Sequence, residues 1–178
     1  MNQAIFLDRD GTLIKDNGYI GQIKEVEFYS FTFDCLKMLQ GKYLLFIITN
    51  QAGVGKGLIT LDEMHEIHRH VLTKLTEQQI KIREIYFCPH AKEDNCRCRK
   101  PNPYFLNIAK EKYQLDIQNS YVIGDHPSDV ELAINAKANG IYLLTGHGQK
   151  HYQEVKNHFP YVKITRNLKS ASDHILKQ

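Results

Sequence analysis

Ala4-Ile5-Phe6-Leu7 is an apolar run of strand length with no polar alternation, and it delivers two carboxylates, Asp8 and Asp10, onto a Gly11-Thr12 turn. Successive side chains of a strand face opposite sides, so a strand apolar at every position needs apolar partners on both faces. That condition is met in the middle of a parallel sheet covered by helices. Such sheets bind ligands at the carboxyl ends of their strands. On a regular strand Asp8 and Asp10 would point to opposite faces. If the strand stops at Asp8 and Gly11 permits a turn, both reach one site, one as nucleophile or metal ligand and the other as acid/base. A strand-end Asp that caps a turn explains an isolated D-x-D equally well, so the rest of the chain must decide.

The pattern repeats. Tyr43-Leu44-Leu45-Phe46-Ile47-Ile48 ends in Thr49-Asn50-Gln51, a shorter run over Glu84–Phe87 leads to Cys88, and Tyr121-Val122-Ile123-Gly124 ends in Asp125. Gly140–Leu144 is a fifth strand, and a sixth lies near 161–164. Helical spacing fills the intervals. Phe31, Cys35, Leu36 and Leu39 precede a stop at Gly41, with Cys35 read as a buried thiol; the stripe 61, 64, 67, 71, 72, 75 follows Thr60 as N-cap. Pro103 opens a helix carrying Phe105, Leu106, Ile108 and Ala109, and further helices follow Asp125, cover 150–157 and end the chain. Asp16–Gly21 with Val26–Tyr29 reads as a small hairpin, a flap over the site. The expectation is one α/β domain spanning 1–178, a three-layer Rossmann-like parallel sheet.

At 178 residues the chain is long enough for one sizeable core and too short for two. Its 23 basic and 20 acidic residues, net +3, give no nucleic-acid footprint. No apolar run approaches the roughly 18 residues a membrane helix requires, and the N-terminus enters a strand with no leader, so a cytoplasmic monomer without membrane partners is expected. Cys88, His90, Cys96 and Cys98 fall within one short polar segment, 88–98. Three thiols and an imidazole make a closed tetrahedral Cys3His set, the donor chemistry of structural zinc; an odd thiol count and polar surroundings argue against disulfides or core packing.

Two other motifs fail their tests. Gly53-Val54-Gly55-Lys56-Gly57 lacks both the first glycine and the terminal hydroxyl of a nucleotide P-loop. His65-Glu66-Ile67-His68 is one residue short of H-E-x-x-H, and His65, His68 and His70 read as solvated.

Taken in order, D-x-D-G-T at Asp8–Thr12, Thr49 at a strand end, Lys100 before a helix and G-D-x-x-x-D at Gly124–Asp129 resemble the four motifs of the haloacid dehalogenase-like phosphohydrolases. The Cys-x-His and Cys-x-Cys-Arg-Lys-Pro signature resembles the histidinol-phosphatase-like group of that superfamily. The resemblance implies a capless fold with the zinc loop inserted, and a Mg2+-dependent phosphomonoester hydrolase. In it Asp8 is phosphorylated, Asp10 carries the proton, and Thr49 and Lys100 bind phosphate oxygens. It also implies Mg2+ on Asp8, Asp125 and the backbone carbonyl of Asp10, and Asp129 as orienter of Lys100 or Asp125. Asp16, Tyr19, Asn50, Gln51 and Arg99 are the expected substrate contacts.

The group hydrolyses heptose bisphosphate or histidinol phosphate. The flap segment Asp16-Asn17-Gly18-Tyr19 resembles the heptose enzymes, where it contacts the sugar, and Arg99 beside Lys100 suits a second phosphate better than an ammonium group. The loop Thr145–His151 adds polar groups to that site or is only a strand-to-helix turn. The expectation is removal of the 7-phosphate from D-glycero-D-manno-heptose 1,7-bisphosphate in lipopolysaccharide-core or related heptose biosynthesis, with histidinol phosphate as the alternative. A non-catalytic zinc-stapled module is disfavoured because every expected catalytic side chain is present.

Overall fold

The computed structural model describes residues 1–178. Six strands, β1 (Ala4–Leu7), β2 (Leu44–Asn50), β3 (Ile82–Cys88), β4 (Tyr121–Gly124), β5 (Asn139–Leu143) and β6 (Lys163–Thr165), form one parallel sheet in the order β3-β2-β1-β4-β5-β6. Strand β1 is central, pairing Ala4 with Leu44 on one side and Ile5 with Tyr121 on the other. The order reverses direction at β1, between β2 and β4, and that switch point opens a crevice at the strand ends.

Strand alternation divides the core in two. Ile5, Leu7, Leu45, Ile47 and Ile123 face helices α1 (Thr32–Leu39), α3 (Leu61–Glu77) and α7 (Leu168–Ile175). Ala4, Phe6, Phe46, Ile48 and Val122 face α4 (Tyr104–Tyr113) and α5 (Pro127–Ala136). This is the three-layer sandwich that unalternated strands require, and Cys35 is buried within its first layer. Short helix α2 (Ala52–Gly55) follows β2, and α6 (Tyr152–His158) lies between β5 and β6. No second sheet or helical bundle is inserted as a cap.

Local signals act where expected and in two places differently. Thr60 caps α3 reciprocally with Glu63, its hydroxyl accepting from the Glu63 amide at 3.1 Å. The flap is not a regular hairpin. One antiparallel bridge, Ile14 to Phe28, joins its arms, and a 3-10 turn at Ile23–Glu25 occupies the tip, with Gly18 breaking the extended run at a φ of +84°. Nor is His68 solvated. It belongs to the buried stripe of α3 and packs edge-on against Phe87 at 5.3 Å, with Nε2 unpartnered and its pKa pushed down to about 3, chiefly by burial. His65 is exposed and touches the same ring.

Candidate active site

Strand β1 ends at Leu7, and Asp8 continues its register for one residue, its amide donating to the Ile123 carbonyl at 2.9 Å. The chain then turns: the Leu13 and Ile14 amides donate to the Arg9 carbonyl at 3.0 and 3.1 Å. Gly11 takes a φ of +78°, and a Cβ there would overlap the Asp125 carboxylate. Only glycine meets both conditions.

From the neighbouring strand end, Asp125 brings a carboxylate oxygen into a group with those of Asp8 and Asp129, all within 4.8 Å of one another. Asp129 sits in the first turn of α5 and accepts from the His126 amide at 3.1 Å, so the helix cap fixes its direction. A Cβ on Gly124 would strike it, which is why this helix can start so close to β4.

Lys100 is the single cation among the three acids. Its ammonium is buried, 2.9 Å from Asp8 Oδ1, 2.6 Å from Asp129 Oδ1 and 3.1 Å from the Ile48 carbonyl. Burial opposes its charge, but Asp129 and Asp8 outweigh burial and raise its pKa. Burial likewise raises Asp8 against the pull of Lys100, and burial with the charges of Asp8 and Asp129 pushes Asp125 up to about 9. Three buried carboxylates against one ammonium is an excess of negative charge that a divalent cation would relieve, and their hard oxygens suit Mg2+. The donor set therefore fits that ion.

Thr49 lies at the end of β2 with its hydroxyl accepting from Gln51 Nε2 at 2.8 Å, leaving the hydroxyl proton available to the cleft. Asn50 and Gln51 line the cleft, yet their amides are engaged within the protein. Asn50 exchanges bonds with the Lys100 backbone, accepting at 3.0 Å and donating at 3.3 Å. Gln51 donates to Asp10 Oδ2 at 2.8 Å and accepts from Arg9 at 2.9 Å. Arg9 is the residue that sequence reasoning passed over. The signal was its place between the two aspartates, but nothing in the pattern shows that its side chain returns to Asp10, with Nη2 and Oδ2 2.9 Å apart.

Cys88, His90, Cys96 and Cys98 converge. Their sulfurs lie 3.3 to 3.5 Å apart, far beyond disulfide bonding, and His90 Nδ1 is 3.6 Å from Cys88 and 3.3 Å from Cys98. Four soft donors facing one another fit a tetrahedral zinc ion. Burial raises Cys88, whereas hydrogen bonds from Cys88 and Cys98 outweigh burial and lower Cys96. The loop is tied to α2, where the Gly55 amide donates to the Pro89 carbonyl at 2.7 Å and a Cβ on Gly55 would hit the Ala91 amide.

A cleft of roughly 990 Å3 opens over the carboxylates, and only three of its 26 lining residues are hydrophobic, so it suits a polar ligand. Flap residues Asp16 and Tyr19 border it, with Tyr19 accepting from Lys56 at 2.9 Å. Arg99 borders it beside the cysteine loop, donating to the His90 carbonyl at 3.3 Å. The loop after β5 is more than a turn. Its His147 pairs with Asp16 at 2.9 Å and donates a backbone amide to Asp125 at 2.7 Å, and His126 and His151 complete that wall. No helix is long and apolar enough to cross a membrane.

The HAD-hydrolase-like family model matches residues 97–171. The D-glycero-beta-D-manno-heptose-1,7-bisphosphate 7-phosphatase of Helicobacter pylori strain J99 is 38% identical over 81% of this chain and 84% of its own length. The D-glycero-alpha-D-manno-heptose-1,7-bisphosphate 7-phosphatase of Campylobacter jejuni is 36% identical, covering 94% and 92%. The crystal structure of the D,D-heptose 1,7-bisphosphate phosphatase of B. bronchiseptica, complexed with magnesium and phosphate, superposes with a TM-score of 0.90. It covers 98% of each chain at 24% identity, a likeness of fold.

Proposed function

The chain belongs to the haloacid dehalogenase-like phosphatases, in the family of the heptose-1,7-bisphosphate 7-phosphatases, and from that premise we propose that it hydrolyses the 7-phosphate of D-glycero-D-manno-heptose 1,7-bisphosphate. The observation that carries the reading is Lys100 bridging Asp8 and Asp129 at the open end of β1, with Asp125 alongside, under a polar cleft. The two relatives act on opposite anomers, so the anomer is left open.

Asp8 attacks phosphorus, the bond to the leaving oxygen breaks, and Asp10 gives that oxygen its proton. Water then attacks the aspartyl-phosphate, its proton passes to Asp10, and Asp8 is released with inorganic phosphate. Lys100 Nζ and the Thr49 hydroxyl hold the equatorial oxygens where negative charge develops. Asp8, Asp125 and the backbone carbonyl of Asp10 would hold Mg2+, which would supply positive charge to offset the repulsion between carboxylate and phosphate. Cys88, His90, Cys96 and Cys98 would hold zinc, which would fix the strand-to-helix loop and so the direction of Arg99 and Lys100. Asp16, Tyr19 and Arg99 contact the substrate, while Asn50 and Gln51 act from behind. The chain works as a cytoplasmic monomer supplying heptose for lipopolysaccharide or a related glycan.

The test is phosphate release from the heptose bisphosphate with Mg2+, in wild type and Asp8→Asn. Uncatalysed phosphomonoester hydrolysis is so slow, with enzymatic accelerations up to about 10^21, that loss of the nucleophile should abolish turnover. An Asp8→Asn protein that retains a substantial fraction of wild-type release would refute the mechanism.

A further inference from the structure

We infer that Arg9 and Gln51 form a clamp that positions the Asp10 carboxylate for proton transfer, an inference resting on the phosphatase reading above. Arg9 is among the largest fully buried side chains of the molecule, 1% exposed. Its Nε lies 3.1 Å from both carboxylate oxygens of Asp10, its Nη2 lies 2.9 Å from Asp10 Oδ2, and the same Nη2 donates to Gln51 Oε1 at 2.9 Å. Gln51 Nε2 closes the ring, donating to Asp10 Oδ2 at 2.8 Å and to Thr49 Oγ1 at 2.8 Å. Each of Arg9, Gln51 and Asp10 is therefore bonded to the other two.

A purely architectural arginine would bond backbone carbonyls or bridge several elements. Arg9 bonds no backbone group: its side-chain partners are Asp10 and Gln51 alone. Its remaining nitrogen, Nη1, is buried without a protein partner, an arrangement that costs stability. The nearby imidazole of His68 is held neutral, so it does not repel the guanidinium. What the burial achieves is a fixed plane for one carboxylate. A guanidinium fork and a carboxamide meet it from inside the protein, and Asp10 keeps a 17% exposed edge toward the cleft.

Proton transfer demands that placement twice. In the first displacement the proton leaves Asp10 for the departing alkoxide oxygen. In the second it passes from the attacking water to Asp10 as the bond from phosphorus to Asp8 oxygen breaks. A nitrophenolate leaves without a proton, so with p-nitrophenyl phosphate only the second step needs Asp10. That asymmetry separates a misplaced acid/base from a generally damaged site.

The measurement is rapid-quench turnover of p-nitrophenyl phosphate and of the heptose bisphosphate by Asp10→Asn, Arg9→Met, Arg9→Lys and Gln51→Met. With the aryl ester, Arg9→Met and Gln51→Met should give a burst of about one nitrophenol per site, then turnover at least about tenfold below wild type. KM for the aryl ester should fall in step with the slow phase and kcat/KM should stay within about threefold of wild type, since the clamp touches no substrate phosphate and the first displacement of an aryl ester needs no proton. Arg9→Lys keeps the charge and loses the fork, and should recover only part of the slow phase; full recovery would overturn the clamp. Gln51→Met carries the test if the Arg9 variants do not fold. Asp10→Asn is the control. If it bursts while the Gln51 and Arg9 variants turn over at the wild-type rate, the clamp fails alone; if Asp10→Asn itself turns over normally, the acid/base reading fails instead.

Discussion

The carboxylate centre and the cysteine cluster both lie at the carboxyl ends of the strands, and both gather like groups at close range, but they are held together by different things. Asp8, Asp125, Asp129 and Lys100 are each placed by a strand end, a helix first turn or a backbone clamp, and all are buried. Their repulsion is partly answered inside the protein by one ammonium. The cysteine cluster has one member on a strand, Cys88. The others hang from a loop of exposed polar residues with a single 3-10 turn at Lys92–Asp94, and no cation of the protein pairs with their sulfurs. The first region is a geometry that the sheet imposes and a metal completes. The second is a set of soft donors gathered on a loop, which a metal would tie together.

That difference predicts opposite responses to loss of ligand. Stripping zinc with a chelator, or Cys96→Ser, should unfold the loop over 88–98, because structural zinc carries apparent binding free energies of about 10 kcal/mol or more in small sites. Loss of turnover should accompany it, since Lys100 follows Cys98 by two residues and its backbone is aimed by Asn50. Elemental analysis should give one zinc per chain; an active protein without zinc contradicts the assignment. Removing Mg2+, by contrast, should leave hydrogen exchange of β1 and β4 amides unchanged.

Within the acid centre, Asp129→Ala removes the shorter of the two ion pairs on a buried lysine. Breaking a buried pair from one side costs about 3–5 kcal/mol, and denaturant unfolding should read a loss of that order. Zinc content should stay at one per chain, because the Asp129 carboxylate bonds Lys100 and the His126 amide and none of the four cluster residues. A variant that loses both stability and zinc would mean that the two regions are one cooperative unit.

Between them lies His68, packed on Phe87 one residue before Cys88. Its folded pKa is depressed to about 3, so the unfolded chain takes up a proton first as pH falls. The stability it contributes is whole above about pH 6.5 and is lost progressively from there toward pH 3, by at most roughly 5 kcal/mol. The raised pKa values of Asp8 and Asp125 act with the opposite sign, weakening the metal-free fold as pH rises toward 9. His68→Gln should therefore flatten the acid side of the stability curve and leave its alkaline side unchanged. An acid side as steep as wild type would show that some other group governs it.

How much of this was legible follows the same division. Asp8, Thr49 and Asp125 end apolar runs, and a run apolar on every face has few places to go, so the sheet and its acids could be read from the pattern. The cysteine set was legible because four soft donors in eleven residues have few other uses. The Arg9 contacts were not legible, since they arise from the turn after Asp8 folding a side chain back onto its own neighbour. His68 was misread although it sits at helical spacing with Met64, Val71 and Leu75; a polar label outweighed periodicity. The flap resisted because one bridging pair leaves register almost unspecified.

The smallest expected effect probes the seam between the two regions. Arg99 is partly exposed at the cleft rim and is held by the carbonyl of His90, itself in the cysteine cluster, so the cysteine loop presents a cation to the sheet-organised site. A guanidinium there can take a second phosphate two oxygens at a time while the first lies on Lys100 and Thr49. Solvent screening at an exposed position keeps the gain to about 1–2 kcal/mol. Arg99→Ala should lower kcat/KM for the heptose bisphosphate about tenfold, with zinc content intact. For a heptose monophosphate lacking the 1-phosphate it should change little, because the lost partner was never engaged. Equal losses on both substrates would place Arg99 at the reacting phosphate instead. No loss on either would leave the loop a support for Lys100 and nothing more, and the discrimination would then fall to other lining residues such as the paired His147 and Asp16.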